Sequence, residues 1–127
     1  FQDLKLFVQT LHAAGADVQY VSIPSNGRWY DHIGIKKDRR EAVYKKIHST
    51  VVDNGGKIYD LTNKDYEKYV ISDAVHIGWK GWVYVDQQIA RHMDGHAPKN
   101  HEVDYSKNKP PHKHHNDRQD DQHQGNK

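Results

Sequence analysis

An aspartate and a histidine, Asp73 and His76, lie close together in a segment that lacks helical periodicity and precedes a helical pattern. In a turn, this spacing lets the carboxylate reach the imidazole Nδ1. The carboxylate then fixes the tautomer and the orientation of the ring, and Nε2 stays free as a general base. The pair therefore indicates the orienting acid and the base of a serine hydrolase, carried by one loop.

The same two residues also allow a structural interpretation. Asp73 can cap a helix or a turn, and His76 can be an ordinary, partly buried histidine among the 11 histidines of the chain. The two interpretations differ in geometry, because catalysis requires the carboxylate on Nδ1 and Nε2 facing an open cleft.

The elements predicted around this loop alternate between helices and strands. Apolar residues at positions i, i+3, i+4 and i+7 and runs rich in β-branched residues set their limits. The helices are predicted over residues 3–14, 36–54 and 79–93, a short helix or turn over 63–69, and the strands over 17–23 and 57–61. This order indicates an α/β sheet flanked by helices. Because two strands are too few for a stable sheet, we expect more strands upstream of Phe1.

Several positions can be assigned from these patterns. Arg40 falls on the solvent side of the second helix with the neighbouring cations. Thr62 and Asp65 resemble a capping pair, and Asn26 with Gly27 signals a turn within a long loop. On the last helix, the candidate buried residues are Trp79, Trp82, Val83, Ile89 and Met93.

Composition divides the 127 residues into a foldable part, residues 1–94, and a polar tail, residues 95–127. We expect the tail to be disordered, because it buries too little apolar surface to offset its ordering entropy. A net charge of +2 with both signs mixed argues against a nucleic-acid partner, and the absence of cysteine excludes disulfides and thiolate zinc sites. No motif requires a cofactor. Weak metal binding, rather than a dedicated metal site, suits the tail histidines, which are His96, His101, His112, His114, His115 and His123.

Two runs of residues resemble a known family. The run D-A-V-H-I-G-W-K-G-W at residues 73–82 resembles the C-terminal block of DltD proteins, the D-alanyl-lipoteichoic acid biosynthesis family. The run V-S-I-P-S-N-G-R-W-Y-D at residues 21–31 is similar to another stretch of that family, as is the strand–helix order between the two. The resemblance covers residues 1–93, and the tail lies outside it.

The resemblance implies that the chain is the C-terminal portion of an SGNH-type serine acyltransferase or esterase, whose α/β fold is an SGNH/flavodoxin-like three-layer sandwich. Asp73 and His76 would be its catalytic aspartate and histidine, and the serine and the oxyanion donors would lie upstream. The five serines present lack a G-D-S-type context, and Ser25 is the least unsuitable of them. We therefore expect no acyl-transfer activity from this chain alone.

The resemblance also implies a place and partners for the whole protein. It would be anchored by an N-terminal helix, absent here, at the outer face of the cytoplasmic membrane of Gram-positive bacteria, where it helps to place D-alanine esters on lipoteichoic acid. The expected partners are the teichoic acid polymer, a D-alanyl donor or carrier, and other membrane proteins of the D-alanylation pathway.

Trp29, Tyr30 and Trp79 are candidate substrate-binding residues, because aromatic rings stack on glycerol or sugar units. An anchoring role in the core is the alternative for Trp29, and a place in the core or a groove wall is the alternative for Trp79. Two other functions stay open. One is another SGNH-type esterase or O-acyltransferase acting on cell-wall glycan, and the other is a non-catalytic module that binds wall polymer.

Overall fold

The chain alternates helices with two short strands in a computed structural model that describes residues 1–98 and 103–111. Most predicted elements are present with shifted ends. They are α1 (Gln2–Ala13), β1 (Gln19–Ser22), α2 (Gly27–His32), α3 (Lys37–Val52), β2 (Lys57–Asp60), a 3₁₀ turn (Thr62–Lys64) and α4 (Trp79–Met93). The segment predicted as one long loop after β1 contains the short helix α2.

β1 and β2 pair in parallel, with Gln19 opposite Lys57 and Ser22 opposite Asp60. Parallel neighbours need a long crossover, which α2 and α3 provide. The α/β prediction is confirmed at this level, and the sheet has two strands within the described residues. The three-layer sandwich requires strands beyond these two and stays a prediction.

An apolar core fills the space between α1, α3 and the sheet. Val8, Val51 and Ile58 are fully or almost fully buried there. Leu4, Tyr20 and Val52 pack around them. Each of the three buried side chains contributes about 1.5–3 kcal/mol through removal from water. This core joins α1 to the βαβ unit.

A polar centre lies at the other end of α3, around the guanidinium of Arg40, which is 4% exposed. Its Nε and Nη2 donate to Asp65 Oδ2 at 3.2 and 3.1 Å, and its Nη1 donates to Asp31 Oδ1 at 2.7 Å. The Ile35 carbonyl and the Tyr66 hydroxyl accept the remaining hydrogen bonds at 2.5 and 2.8 Å. Burial lowers the pKa of Arg40, but the hydrogen bonds to Asp31, Tyr66 and Asp65 outweigh it and raise the pKa above its ordinary value.

This centre corrects two predictions. Arg40 is not on the solvent side of α3, because helical periodicity takes no account of carboxylates that lie elsewhere in the chain. Asp65 does not pair with Thr62 as a cap; it is buried against the guanidinium, and Thr62 Oγ1 donates to Asp60 Oδ1 at 2.6 Å.

The buried face of α4 is also different from the predicted one. Trp79, Trp82 and Met93 are 64%, 53% and 81% exposed, and Val83 and Ile89 are exposed as well. The inward positions are instead Gly81, Val85 and Gln88. A Cβ on Gly81 would collide with the Val70 carbonyl oxygen, so the helix approaches the chain too closely for a large inward residue. None of the helices in residues 1–98 and 103–111 is long and apolar enough to cross a membrane.

Residues 103–111, which fall in the predicted tail, pack against the folded part. Tyr105 and Asn108 are buried, and the Tyr105 hydroxyl lies 2.5 Å from Thr62 Oγ1. The Asn108 amide donates to Asp65 Oδ1 at 2.6 Å. Sequence composition did not indicate this docking, and for the rest of residues 95–127 the predicted disorder stays a prediction.

We expect Arg40→Met to lower the free energy of unfolding by about 3–5 kcal/mol, because it leaves the carboxylate of Asp65 buried without its counter-ion. Urea denaturation of the chain measures this change. The neighbouring exposed residue offers a matched control, and Arg39→Ala should stay within about 0.5 kcal/mol of the parent. Equal stability of the two variants would show that the buried pair is not a structural requirement.

Candidate functional site

The segment that carries Asp73 and His76 is a closed loop. Ile71 and Ile77 form an isolated antiparallel bridge at its base. The Ser72 amide donates to the His76 carbonyl at 2.8 Å, and the Gly78 amide donates to the Val70 carbonyl at 2.7 Å. These bonds hold the two ends of the loop together immediately before α4.

Asp73 organises the interior of this loop. Its Oδ1 accepts the Val75 and His76 amides at 3.0 and 2.9 Å, and its Oδ2 lies 2.7 Å from His76 Nδ1. The hydrogen bonds from the His76 amide, the Val75 amide and the His76 ring, in that order, lower the pKa of Asp73 far below its ordinary value. The carboxylate is therefore ionised at physiological pH and favours the Nδ1–H tautomer of the ring.

The contact between the pair is the one that the spacing predicts, but its surroundings are open. The side chains of His76 and Asp73 are 78% and 57% exposed. With Nδ1 occupied by the carboxylate, Nε2 is the ring nitrogen that remains for proton transfer. The contact suits an orienter and a general base, but Asp73 also caps the turn through two backbone amides, as the structural interpretation expects, so the catalytic role stays a prediction.

Gly78 and Gly81, the two glycines of the run at residues 73–82, let α4 pack closely against the loop. A Cβ on Gly78 would collide with the Tyr69 carbonyl oxygen, and one on Gly81 would lie 2.6 Å from the Ile77 side chain. Lys80, between them, places its Nζ 2.6 Å from Glu67 Oε1. The motif thus fixes the start of α4, and Lys80 is engaged in an ion pair.

The loop is also tied to α2. The Asn26 amide donates to the Ala74 carbonyl at 3.0 Å, so the residue after Asp73 is held from outside the loop. Asn26 is the N-cap of α2, where its Oδ1 accepts the Trp29 amide at 3.2 Å. The sequence interpretation of Asn26 as a turn residue missed this helix, because α2 has only six residues and no apolar periodicity.

Of the candidate substrate-binding aromatics, Trp29 and Trp79 are exposed and Tyr30 is half-buried. Trp29, 46% exposed, meets the Tyr30 ring edge-on with centroids 5.5 Å apart. Trp79 lies against the Tyr69 ring at 5.6 Å. The core-anchor interpretation of Trp29 is not supported by this exposure, and substrate binding by all three residues stays a prediction.

A cavity of about 200 Å³ lies between α2 and the chain that leads into the loop. Arg28 and Lys68 border it with Asn26, Tyr69 and Ser72. Asp65 and Glu67 also line it, so the cations and the carboxylates of the lining are equal in number and the cavity has no clear charge preference.

A second Asp–His pair was missed in the sequence. His48 Nδ1 lies 2.8 Å from Asp60 Oδ2, beside a cavity of about 500 Å³ that none of residues 73–76 lines. Asp60 Oδ1 accepts the amide and hydroxyl of Thr62 at 2.9 and 2.6 Å, and its side chain is 3% exposed. The pair fastens α3 to the end of β2. No spacing rule indicated it, because its members lie on different elements.

Neither a serine nor a metal site completes either pair among the described residues. The Ser72 hydroxyl, nearest to His76 in sequence, donates to the His76 carbonyl at 3.1 Å. No group of three or more His, Asp or Glu side chains in the described ranges could hold a metal ion. Of the tail histidines considered above, only His96 lies within the described residues, and it is exposed.

Comparison with known proteins identifies relatives of one kind. The family model described as DltD protein matches residues 1–94. Protein DltD of Staphylococcus aureus (strain NCTC 8325 / PS 47) is 79% identical over 108 residues, which are 85% of this chain and 27% of the relative. Protein DltD of Bacillus subtilis (strain 168) is 40% identical over 89 residues, 70% of this chain and 23% of the relative. The chain thus spans about a quarter of the length of these relatives.

We expect the carboxyl of Asp73 to titrate well below its ordinary pKa of 3.8, and to do so still in His76→Gln, because the backbone amides lower the pKa more than the ring does. Carboxyl carbon NMR shifts measured against pH test both statements. Since the folded pKa is below the unfolded one, ionised Asp73 favours the folded loop above about pH 4, and this contribution is lost as the pH falls toward the folded pKa. A return to the ordinary pKa in His76→Gln would make the ring the main cause.

Proposed function

The chain belongs to the DltD protein family, and we propose that it supplies the acid–base half of a serine acyl-transfer site in the D-alanylation of lipoteichoic acid. The observation that carries the proposal is the 2.7 Å contact between Asp73 Oδ2 and His76 Nδ1. Under this proposal, the family protein is an enzyme that transfers D-alanine by ester chemistry.

The reaction has two matched halves. A serine oxygen attacks the carbonyl carbon of a D-alanyl donor, His76 Nε2 takes the serine proton, and the same proton then goes to the leaving group as the donor bond breaks. A hydroxyl of the polymer next attacks the acyl-serine, again giving its proton to His76. That proton returns to the serine when the D-alanyl ester leaves, so no other reactant is consumed.

The depressed pKa of Asp73 supports this role for the pair. An anion that stays ionised next to Nδ1 stabilises the imidazolium that forms when Nε2 takes a proton. Because the two backbone amides hold the carboxylate in place, the ring keeps its orientation without help from a closed cavity. These features let an exposed histidine act as a base of defined direction.

The serine is proposed to come from an upstream part of the family protein, folded as an SGNH-type three-layer sandwich. The share of the relatives that the chain spans, 27% and 23%, leaves room for such a part. The Ser72 hydroxyl, which is bonded to the His76 carbonyl, is a poor substitute. Anchoring at the outer face of the membrane and contacts with other proteins of the pathway belong to the same proposal.

The surroundings of the loop suggest how the polymer would be held. Arg28, an exposed cation at the border of the 200 Å³ cavity, is a candidate contact for phosphate groups outside that cavity, whose lining also holds Asp65 and Glu67. Trp29 and Trp79 offer exposed rings, and Tyr30 a half-buried one, for the apolar faces of glycerol or sugar units. A D-alanyl donor or carrier would approach from the open side of His76.

In the full-length protein, we expect His76→Ala to reduce D-alanyl ester formation on teichoic acid by a factor of about 10³ or more, because loss of the general base disables the triad. Asp73→Asn should cause a loss of similar order. The measurement is alkali-released D-alanine from polymer of cells that carry each variant at equal protein levels. His96→Ala, a change at an exposed histidine, should leave the ester content unchanged.

Other outcomes would point elsewhere. A normal ester content in His76→Ala would contradict catalysis and favour a module that binds wall polymer. Loss in His48→Ala but not in His76→Ala would move the site to the second pair. Loss of glycan O-acyl esters with intact D-alanylation would favour another SGNH-type esterase or O-acyltransferase. Ester turnover by the 127-residue chain alone, dependent on His76, would contradict an upstream serine.

A further inference from the structure

Residues 105–108, here called the clasp, dock on the turn that follows β2. The Tyr105 hydroxyl lies 2.5 Å from Thr62 Oγ1, and the Asn63 side chain donates to the Asp104 carbonyl at 3.3 Å. Tyr105 and Asn108, each 7% exposed, are the inward residues of the segment. The clasp lies beyond residues 1–94, the part that the family model matches.

Asn108 donates a hydrogen bond to the buried carboxylate of Asp65. Asp65 has a fully buried side chain, and Arg40 satisfies its Oδ2. Its Oδ1 accepts from Asn108 Nδ2 at 2.6 Å. Without Asn108, one oxygen of a buried anion would lose this partner, which is among the more costly changes in a protein interior.

The backbone of Asp65 also contacts Gly27, the first residue of α2. Its carbonyl accepts the Gly27 amide at 2.7 Å. Gly27 lies so close that a Cβ there would come within 2.8 Å of the Tyr66 ring and 3.0 Å of the Asp65 carbonyl oxygen. The position of Gly27, and of Asn26 before it, is therefore set by residues 65 and 66.

Asn26 is the last link, because its amide donates to the Ala74 carbonyl at 3.0 Å between Asp73 and His76. The contacts run without a gap from Asn108 to Asp65, from Asp65 to Gly27, and from Asn26 to Ala74. We propose that the clasp positions the Asp73–His76 loop through this path, with Asn108 as a positioning residue. The functional importance of that positioning rests on the function proposed above, but the mechanical link does not.

The primary test is hydrogen exchange of backbone amides in the 127-residue chain. Asn108→Ala is expected to reduce the protection of the Asn26 amide, which donates to Ala74, about tenfold, and to leave the Val8 amide in α1 unchanged. The His76 ring signals should shift in the same variant. Tyr105→Phe, which keeps the ring and removes the contact with Thr62, should act in the same direction with a smaller effect.

Lys109→Ala, at an exposed position next to Asn108, is the matched control and should change none of these signals. Unchanged protection of the Asn26 amide in Asn108→Ala would overturn the proposal. So would an equal loss of protection at Val8, or failure of the variant to fold, since each would make the clasp a general stabiliser.

A second readout separates this inference from the proposed function. In the full-length protein, Asn108→Ala should lower kcat for D-alanyl transfer about tenfold with little change in KM, because it misplaces the base rather than the substrate. Local loss of protection without any change in kcat would leave the link intact and count against the catalytic role of the loop. A fall in kcat without loss of protection at Asn26 would overturn the link instead.

Discussion

The buried guanidinium of Arg40 is the constraint on which the arrangement of the chain depends. A charge removed from water is tolerated only when carboxylates and other acceptors surround it. Asp31 comes from α2, and Asp65 and Tyr66 follow the turn after β2, so Arg40 holds these two segments against α3. The apolar core between α1 and the sheet holds one end of α3, and this ion pair holds the other.

The candidate loop is held by contacts between neighbours in sequence and by contacts with distant residues. Within the loop, Asp73 accepts two amides and the ring of His76, so the internal shape depends only on neighbours in sequence. The placement of the loop depends on distant partners, through the bond between Asn26 and Ala74. The second Asp–His pair joins residues that are distant in sequence. Asp60 is buried and accepts a hydrogen bond from Thr62, which suits a structural contact between α3 and β2. Both rings have a carboxylate at Nδ1, and they differ in exposure, since the side chain of His48 is 14% exposed and that of His76 is 78% exposed.

The sequence predicts what short-range patterns determine. α1, α3 and α4 follow from periodicity, and the contact of Asp73 with His76 follows from a spacing within one turn. The burial of Arg40 could not be predicted, because its partners lie on other segments and a row of cations on a helix is normally solvated. The same reason hides the pairing of His48 with Asp60 and the docking of Tyr105 in a polar segment. The large apolar side chains of α4 also predict the wrong buried face, because the close approach at Gly81 turns the tryptophans outward.

Under the proposed function, the exposed tryptophans of α4 and the need for a serine nucleophile both call for further protein beside the loop. Trp79 and Trp82 leave large apolar surfaces in water just after His76, and groups of such surfaces normally meet other protein or a ligand. A serine that reaches Nε2 must approach from the exposed side of the same loop, since Nδ1 is taken by Asp73. Further chain of the family protein placed beside the start of α4 would meet both demands, with the clasp keeping the loop at a fixed position against it. The glycines of the motif then serve the chemistry indirectly, because they set where α4 begins relative to the base.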